Sequence, residues 1–263
     1  MAETHIPIEE LVLVSTPVDG VKVLALNRPT KRHALSGALI SEFLQKLAAA
    51  ALDPQVGAII ITGSQACFSA GADIKEISAM DAEAARHCRY LQDLCAGMAA
   101  VRKPVIAALE GMALGGGLEL ALMCDLIYAG QHCRLGLPEV TIGLIPGAGG
   151  TQRLTQALGK YRAMQMVLLG TPILANEALA TGLIAEVFED GSVLANVIPI
   201  ASKLAQASAS ALSLAKEAIC RADERGRDDE FERSLYYFAF GTAGKREGVA
   251  AFLEKRKPQW SST

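Results

Sequence analysis

The sequence has no excess of either charge, no long apolar run, no paired cysteines and no clustered histidines. Each absence removes a class of function. Lys and Arg number 25 and Asp and Glu 28, for a net charge of −3. That balance gives no global attraction to nucleic acid or to an anionic membrane. A spanning helix needs about 18 nearly uninterrupted apolar residues. The nearest approach, residues 104–130, is broken by Glu110, Glu119, Asp125 and Gly115-Gly116-Gly117, so no membrane span is expected. The opening Met-Ala-Glu-Thr-His carries no basic segment ahead of an apolar one, and Ser261-Ser262-Thr263 is not a Ser-Lys-Leu address. As the chain stands the expected location is cytoplasmic, with a mitochondrial or peroxisomal matrix left open.

Cys67, Cys88, Cys95, Cys124, Cys133 and Cys220 form no C-x-x-C unit, which favours reduced, core-filling thiols over a disulfide framework. His5, His33, His87 and His132 are scattered without ligand spacing, so no metal is expected. Residues 147–152 (GAGGTQ) begin like G-x-G-x-x-G but end in Gln, with no clear strand leading in. Residues 67–71 carry only the second half of G-x-S-x-G, and no nucleotide-phosphate loop occurs.

What is present is a large apolar inventory: 51% hydrophobic residues in a chain of 263, with 20% charged. That excludes disorder and suits one substantial domain, or a core with a smaller appendage. Residues 21–27, 57–62, 103–109, 125–129 and 183–188 read as strands. Ser36 is a candidate N-cap for a helix with Leu39, Ile40, Phe43, Leu44 and Leu47 on one face, and residues 117–123 read as a second helix. Alternating strands and helices define an α/β class. Helical patterns then occupy 193–207, 211–225, 229–240 and 244–255. The expected division is a core over 1–190 and a C-terminal helical segment over 191–263, with no linker between them.

Three segments stand out: 68–75 (FSAGADIK), 111–119 (GMALGGGLE) and 136–150 (GLPEVTIGLIPGAGG). Consecutive glycines at a helix start let the backbone approach a ligand and leave N–H groups free for developing negative charge. Glu119, three residues after Gly116, lies one turn along the same face. In an otherwise apolar helix it is either a structural carboxylate held by a cation or capping donors, or a functional one. Glu139 in its loop is either solvated or functional, and Asp73 could simply cap a turn. Together the segments suggest two carboxylates for acid/base work beside backbone donors for an oxyanion. Spacing alone does not bring them together in space.

These residues resemble the crotonase (enoyl-CoA hydratase/isomerase) superfamily, and enoyl-CoA hydratases in particular. The resemblance runs from Asn27-Arg28-Pro29 through residues 70–75, the triple-glycine helix and residues 146–153 to Arg246-Glu247-Gly248 and residues 252–256. It implies a crotonase-like spiral of ββα units with a C-terminal helical segment, assembled as a homotrimer or homohexamer. The implied oxyanion amides fall on Ala72 and Gly116 and the two acid/base glutamates on Glu119 and Glu139. Ala70, Ala72, Asp73, Ile74, Lys75 and Gly116 would line the acyl-CoA site, with Ala34 and Leu35 toward the pantetheine and nucleotide end. The implied reaction adds water to a trans-2-enoyl-CoA, with Glu139 delivering a proton to C2 and Glu119 orienting the water. No separate cofactor is expected, since coenzyme A arrives with the substrate.

Three other readings stay open: a Δ3–Δ2 isomerase needing one carboxylate, a specialised branched or aromatic-pathway hydratase, and an RNA-binding relative, against which the charge argues. Leu137, where Gln is often found, is expected to bear on substrate preference or water placement. Met80, Leu91, Leu94 and Met98 are either acyl-pocket lining or helix core. A cation from 28–32 or 255–257 is expected to meet the phosphates of coenzyme A.

Overall fold

Strand and helix assignments come from a computed structural model that describes residues 10–224 and 228–259. The strands are β1 (Val12–Val18), β2 (Val21–Leu26), β3 (Ala58–Thr62), β4 (Val105–Leu109), β5 (Met112–Leu114), β6 (Leu126–Gly130), β7 (Arg134–Gly136), β8 (Ile173–Leu174) and β9 (Glu186–Phe188). The helices of the first half are α1 (Gly37–Leu52), α2 (Ile74–Ser78), α3 (Ala82–Cys88), α4 (Tyr90–Ala99) and α5 (Gly116–Leu122). Those of the second half are α6 (Gly150–Leu158), α7 (Lys160–Leu169), α8 (Ala175–Ala180), α9 (Val193–Ala205), α10 (Ala209–Glu224), α11 (Asp229–Phe240) and α12 (Ala243–Leu253). Short 3-10 turns occupy Pro29–Lys31 and Glu139–Ile142.

One sheet runs β1-β2-β3-β4-β6-β9, parallel except for the β1–β2 hairpin, and a small sheet runs β5-β7-β8. A strand of the large sheet, a strand of the small sheet and a helix recur along the chain, giving the spiral of ββα units in an α/β architecture. β3 and β4 are buried at every position, as parallel strands covered on both faces must be. Ile59, Ile61, Val105, Ala107 and Leu109 face the main core, with α1 and α5. Ala58, Ile60, Ile106 and Ala108 face the opposite way, onto Val193, Val197 and Ala201 of α9. The four-residue spacing of that helical stripe covers the back of the sheet. Ser36 caps α1, its side chain accepting from the Leu39 amide at 3.2 Å.

A third apolar cluster joins Ile77, Ala85, Leu91 and Cys95 to Leu144, Ala148, Tyr236, Tyr237, Phe240 and Val249. It brings α11 and α12 over the loops that follow β7. β1 was not among the expected strands because only Val12 of its seven residues is buried. The two- and three-residue strands of the small sheet are too short to carry a period. The expected helix end at residue 225 and the terminal residues 1–5 and 261–263 lie outside the described residues. No helix among the described residues is long and apolar enough to cross a membrane.

Candidate active site

The end of β5 and the start of α5 meet the segment that follows β3. The Leu114 amide donates to the Ser69 carbonyl at 3.0 Å, and Leu35 forms a bridge with Ala72. Ser69, fully buried, donates its hydroxyl to the His33 carbonyl and accepts from the Gly71 amide. Gly71 (φ +95) and Gly115 (φ +52) adopt backbone conformations that side-chained residues avoid. These turns bring the Ala72 and Gly116 amides together: a methyl group built on Gly116 would lie 3.6 Å from the Ala72 nitrogen. One built on Gly71 would lie 3.2 Å from the Gly116 nitrogen. Neither amide donates to an acceptor among the described residues.

Glu119, one turn into α5, is 2% exposed. Its Oε1 accepts from the Ala148 and Gly150 amides, both at 2.8 Å. Glu139 opens its 3-10 turn with Oε1 beside Gly115, while Oε2 is enclosed without a partner. Both glutamates and both free amides line one cleft of about 230 Å³. Its apolar wall includes Ile74, Ile77, Leu91, Leu144, Tyr236 and Phe252.

Residues 17–263 match the family described as enoyl-CoA hydratase/isomerase. The chain belongs to the enoyl-CoA hydratase/isomerase family. It is 44% identical over 245 residues to a probable mitochondrial enoyl-CoA hydratase of Dictyostelium discoideum, covering 91% of this chain and 87% of that protein. It is 43% identical over 242 residues to the 2,3-dehydroadipyl-CoA hydratase of Escherichia coli (strain K12), covering 91% and 94%. The structure of an enoyl-CoA hydratase from Mycobacterium avium subsp. paratuberculosis K-10 superposes with a TM-score of 0.84 at 31% identity, covering 96% of this chain and 99% of that one. The crotonase resemblance read from the motifs is thereby established.

In this member of the family, burial pushes the Glu119 carboxyl up to about 8, and the charge of Glu232 adds to the shift. The two amides and Arg153 pull the other way. Burial likewise holds Glu139 well above the usual carboxylate range, with Glu119 the next cause. Two carboxyl groups in one apolar cleft resist double ionisation.

Of the other expected lining residues, Leu35, Ala70, Ala72, Ile74 and Gly116 reach the cleft, whereas Ala34, Asp73 and Lys75 are not on its wall. Asp73 caps α2 through the Lys75 amide and pairs with Arg28 at 2.9 Å. Arg28 also donates to the Ala34 carbonyl, so this cation is spent on tying two site loops together. Arg256 pairs with Glu247 and Glu254. Lys31, Arg32, Lys255 and Lys257 are exposed, as is the paired Arg256, and Arg32 stands on the cleft wall. Leu137 is fully buried in the main core and is not on the wall. Leu94 and Met98 also belong to the core, and of the four residues left open only Leu91 reaches the cleft.

Sequence reasoning missed Glu232, Tyr236 and Arg153. Glu232 and Tyr236 share a helix face four residues apart, and a glutamate on the apolar side of an amphipathic helix was the available signal.

Proposed function

We propose that the protein is an enoyl-CoA hydratase, adding water across the double bond of a trans-2-enoyl-CoA to give the 3-hydroxyacyl-CoA. The observation that carries this reading is the meeting of two buried carboxyl groups and two unengaged backbone amides in one partly apolar cleft. The Ala72 and Gly116 amides would hold the thioester oxygen as it takes on enolate charge. One such donor is typically worth about 3 kcal/mol.

The surroundings of the two glutamates divide their labour. Glu119 accepts two amide hydrogen bonds, so it is the member of the pair that ionises as the pH rises, and in that form it takes a proton from water as the oxygen bonds to C3. Glu139 has an enclosed, unpartnered oxygen, so it stays protonated and gives its proton to C2 on the same face. An isomerase shifts one proton between two carbons and needs one carboxyl group; a second one held at the cleft wall favours water addition. Coenzyme A enters as part of the substrate, and no separate cofactor takes part. Oxidative breakdown of acyl chains is a setting that would use this step.

The exposed Phe231, Leu235, Phe238 and Phe252 favour burial against other copies in a homotrimer or homohexamer, and light scattering that reports a 27.7 kDa particle would refute this assembly. The enzymatic test is hydration of trans-2-enoyl-CoA thioesters of increasing chain length in deuterium oxide. Deuterium at C2 and hydroxyl at C3 of the product are expected. Conversion of the 2-enoyl to a 3-enoyl thioester without net hydration would refute the proposal in favour of an isomerase.

A further inference from the structure

The loop between Pro146 and α6 is held from two sides by two carboxylates in alternation. Glu119 takes the amides of Ala148 and Gly150. Glu232, from α11 and 2% exposed, takes those of Gly149 and Thr151 at 2.6 and 2.7 Å and also the Thr151 hydroxyl. Four successive amides therefore point alternately to the cleft and to the C-terminal helix. Gly149 (φ +88) allows that path. Arg153 locks it, donating to the Ala148 carbonyl at 2.8 Å and pairing with Asp229 at the start of α11. One turn beyond Glu232, the Tyr236 ring lies against Gly147, where a methyl group would approach to 2.6 Å.

Burying a carboxylate has a large desolvation cost unless donors satisfy it. The Oε atoms of Glu232 do not reach the cleft wall, which Glu119 and Tyr236 do. We propose that Glu232 is a positioning residue for Glu119: by holding the Gly149 and Thr151 amides it fixes the loop so that the Ala148 and Gly150 amides grip Glu119 Oε1 and leave its Oε2 aimed into the cleft. The C-terminal helical region thus sets the geometry of a group on α5, far away in sequence. Glu232→Gln is the sharper probe, because an amide supplies one acceptor oxygen where the loop presents donors to both carboxylate oxygens. Glu232→Ala removes both.

The inference rests on the hydratase reading. The experiment compares kcat, KM and Tm for hydration of crotonyl-CoA by the parent, Glu232→Gln, Glu232→Ala and Val197→Ala, the last a core truncation on the far face of the large sheet. The expected result is a fall in kcat of at least tenfold for both Glu232 variants with KM changed less than threefold. Val197→Ala should lose Tm while keeping kcat within twofold. In a Glu119→Gln background, adding Glu232→Gln should lower kcat by less than twofold, because the effect passes through Glu119. Parental kcat in folded Glu232→Gln would overturn the inference, as would an equal loss of kcat in Val197→Ala at matched Tm. A parent protein that fails to hydrate any enoyl-CoA would instead overturn the functional reading.

Discussion

Replacing Glu119 by Gln separates proton transfer from architecture. The Gln side-chain oxygen can still accept from the Ala148 and Gly150 amides, now at 2.8 Å, so the loop should stay in place. The amide nitrogen then occupies the position of Oε2, the oxygen nearest Gly116 at the cleft. What is lost is the charge and the capacity to take a proton from water. Loss of a general base typically lowers the rate by about 10²- to 10⁴-fold, or roughly 3–5 kcal/mol in the barrier. Because substrate contacts are otherwise unchanged, KM for crotonyl-CoA should move less than about threefold.

The pH profile adds a second signature. Glu119 must be ionised to act as base and its carboxyl is pushed up to about 8, so parental kcat/KM should rise with pH toward that value. The same acid limb should be missing in Glu119→Gln. The assay is the loss of absorbance of the conjugated enoyl thioester across a pH series. Near-parental hydration by Glu119→Gln, or an acid limb that persists unmoved, would refute the assignment.

Gly71→Ala would place a methyl 2.7 Å from the Leu114 carbonyl and 3.2 Å from the Gly116 amide. Its kcat should fall about a hundredfold or more through the damaged amide pair, whereas Gly159→Ala, at φ +77 with open space around it, should show the backbone strain as a lower Tm with kcat intact. For stability, the folded chain keeps a proton on Glu119 between its ordinary 4.5 and about 8 that the unfolded chain has released. This group's contribution to stability is therefore full below pH 4.5 and declines with rising pH through that window, at up to about 1.4 kcal/mol per pH unit. Denaturant titrations of the parent and Glu119→Gln should show a shallower decline in the variant, and identical slopes would count against the raised affinity for protons. Neutralising Lys31, Arg32, Lys255 and Lys257 together should raise KM for acyl-CoA far more than it lowers kcat, with the gap closing at high salt; an unchanged KM would leave these cations as surface charge.

The α/β class, the four inner strands of the large sheet, the Ser36-capped helix and the family were legible in the order of residues alone. Those features are written in local terms: β-branched runs buried on both faces, apolar residues at helical spacing, and glycines where the backbone must turn. The triple glycine and Glu119 were legible because a carboxylate in an apolar helix after a glycine run contradicts ordinary helix composition. How Glu119 is held came only with the packing: one oxygen accepts from two loop amides, and the residue lines the cleft. The packing also decided that Arg28 ties loops together through Asp73, and that Leu94, Met98 and Leu137 are core while Leu91 is cleft. Helical spacing shows that a face is apolar without showing what it packs against. Glu232 lies 83 residues from the Gly149 amide it accepts. No periodicity spans such a separation, and only the packing of α11 over the loop brings the two within a hydrogen bond.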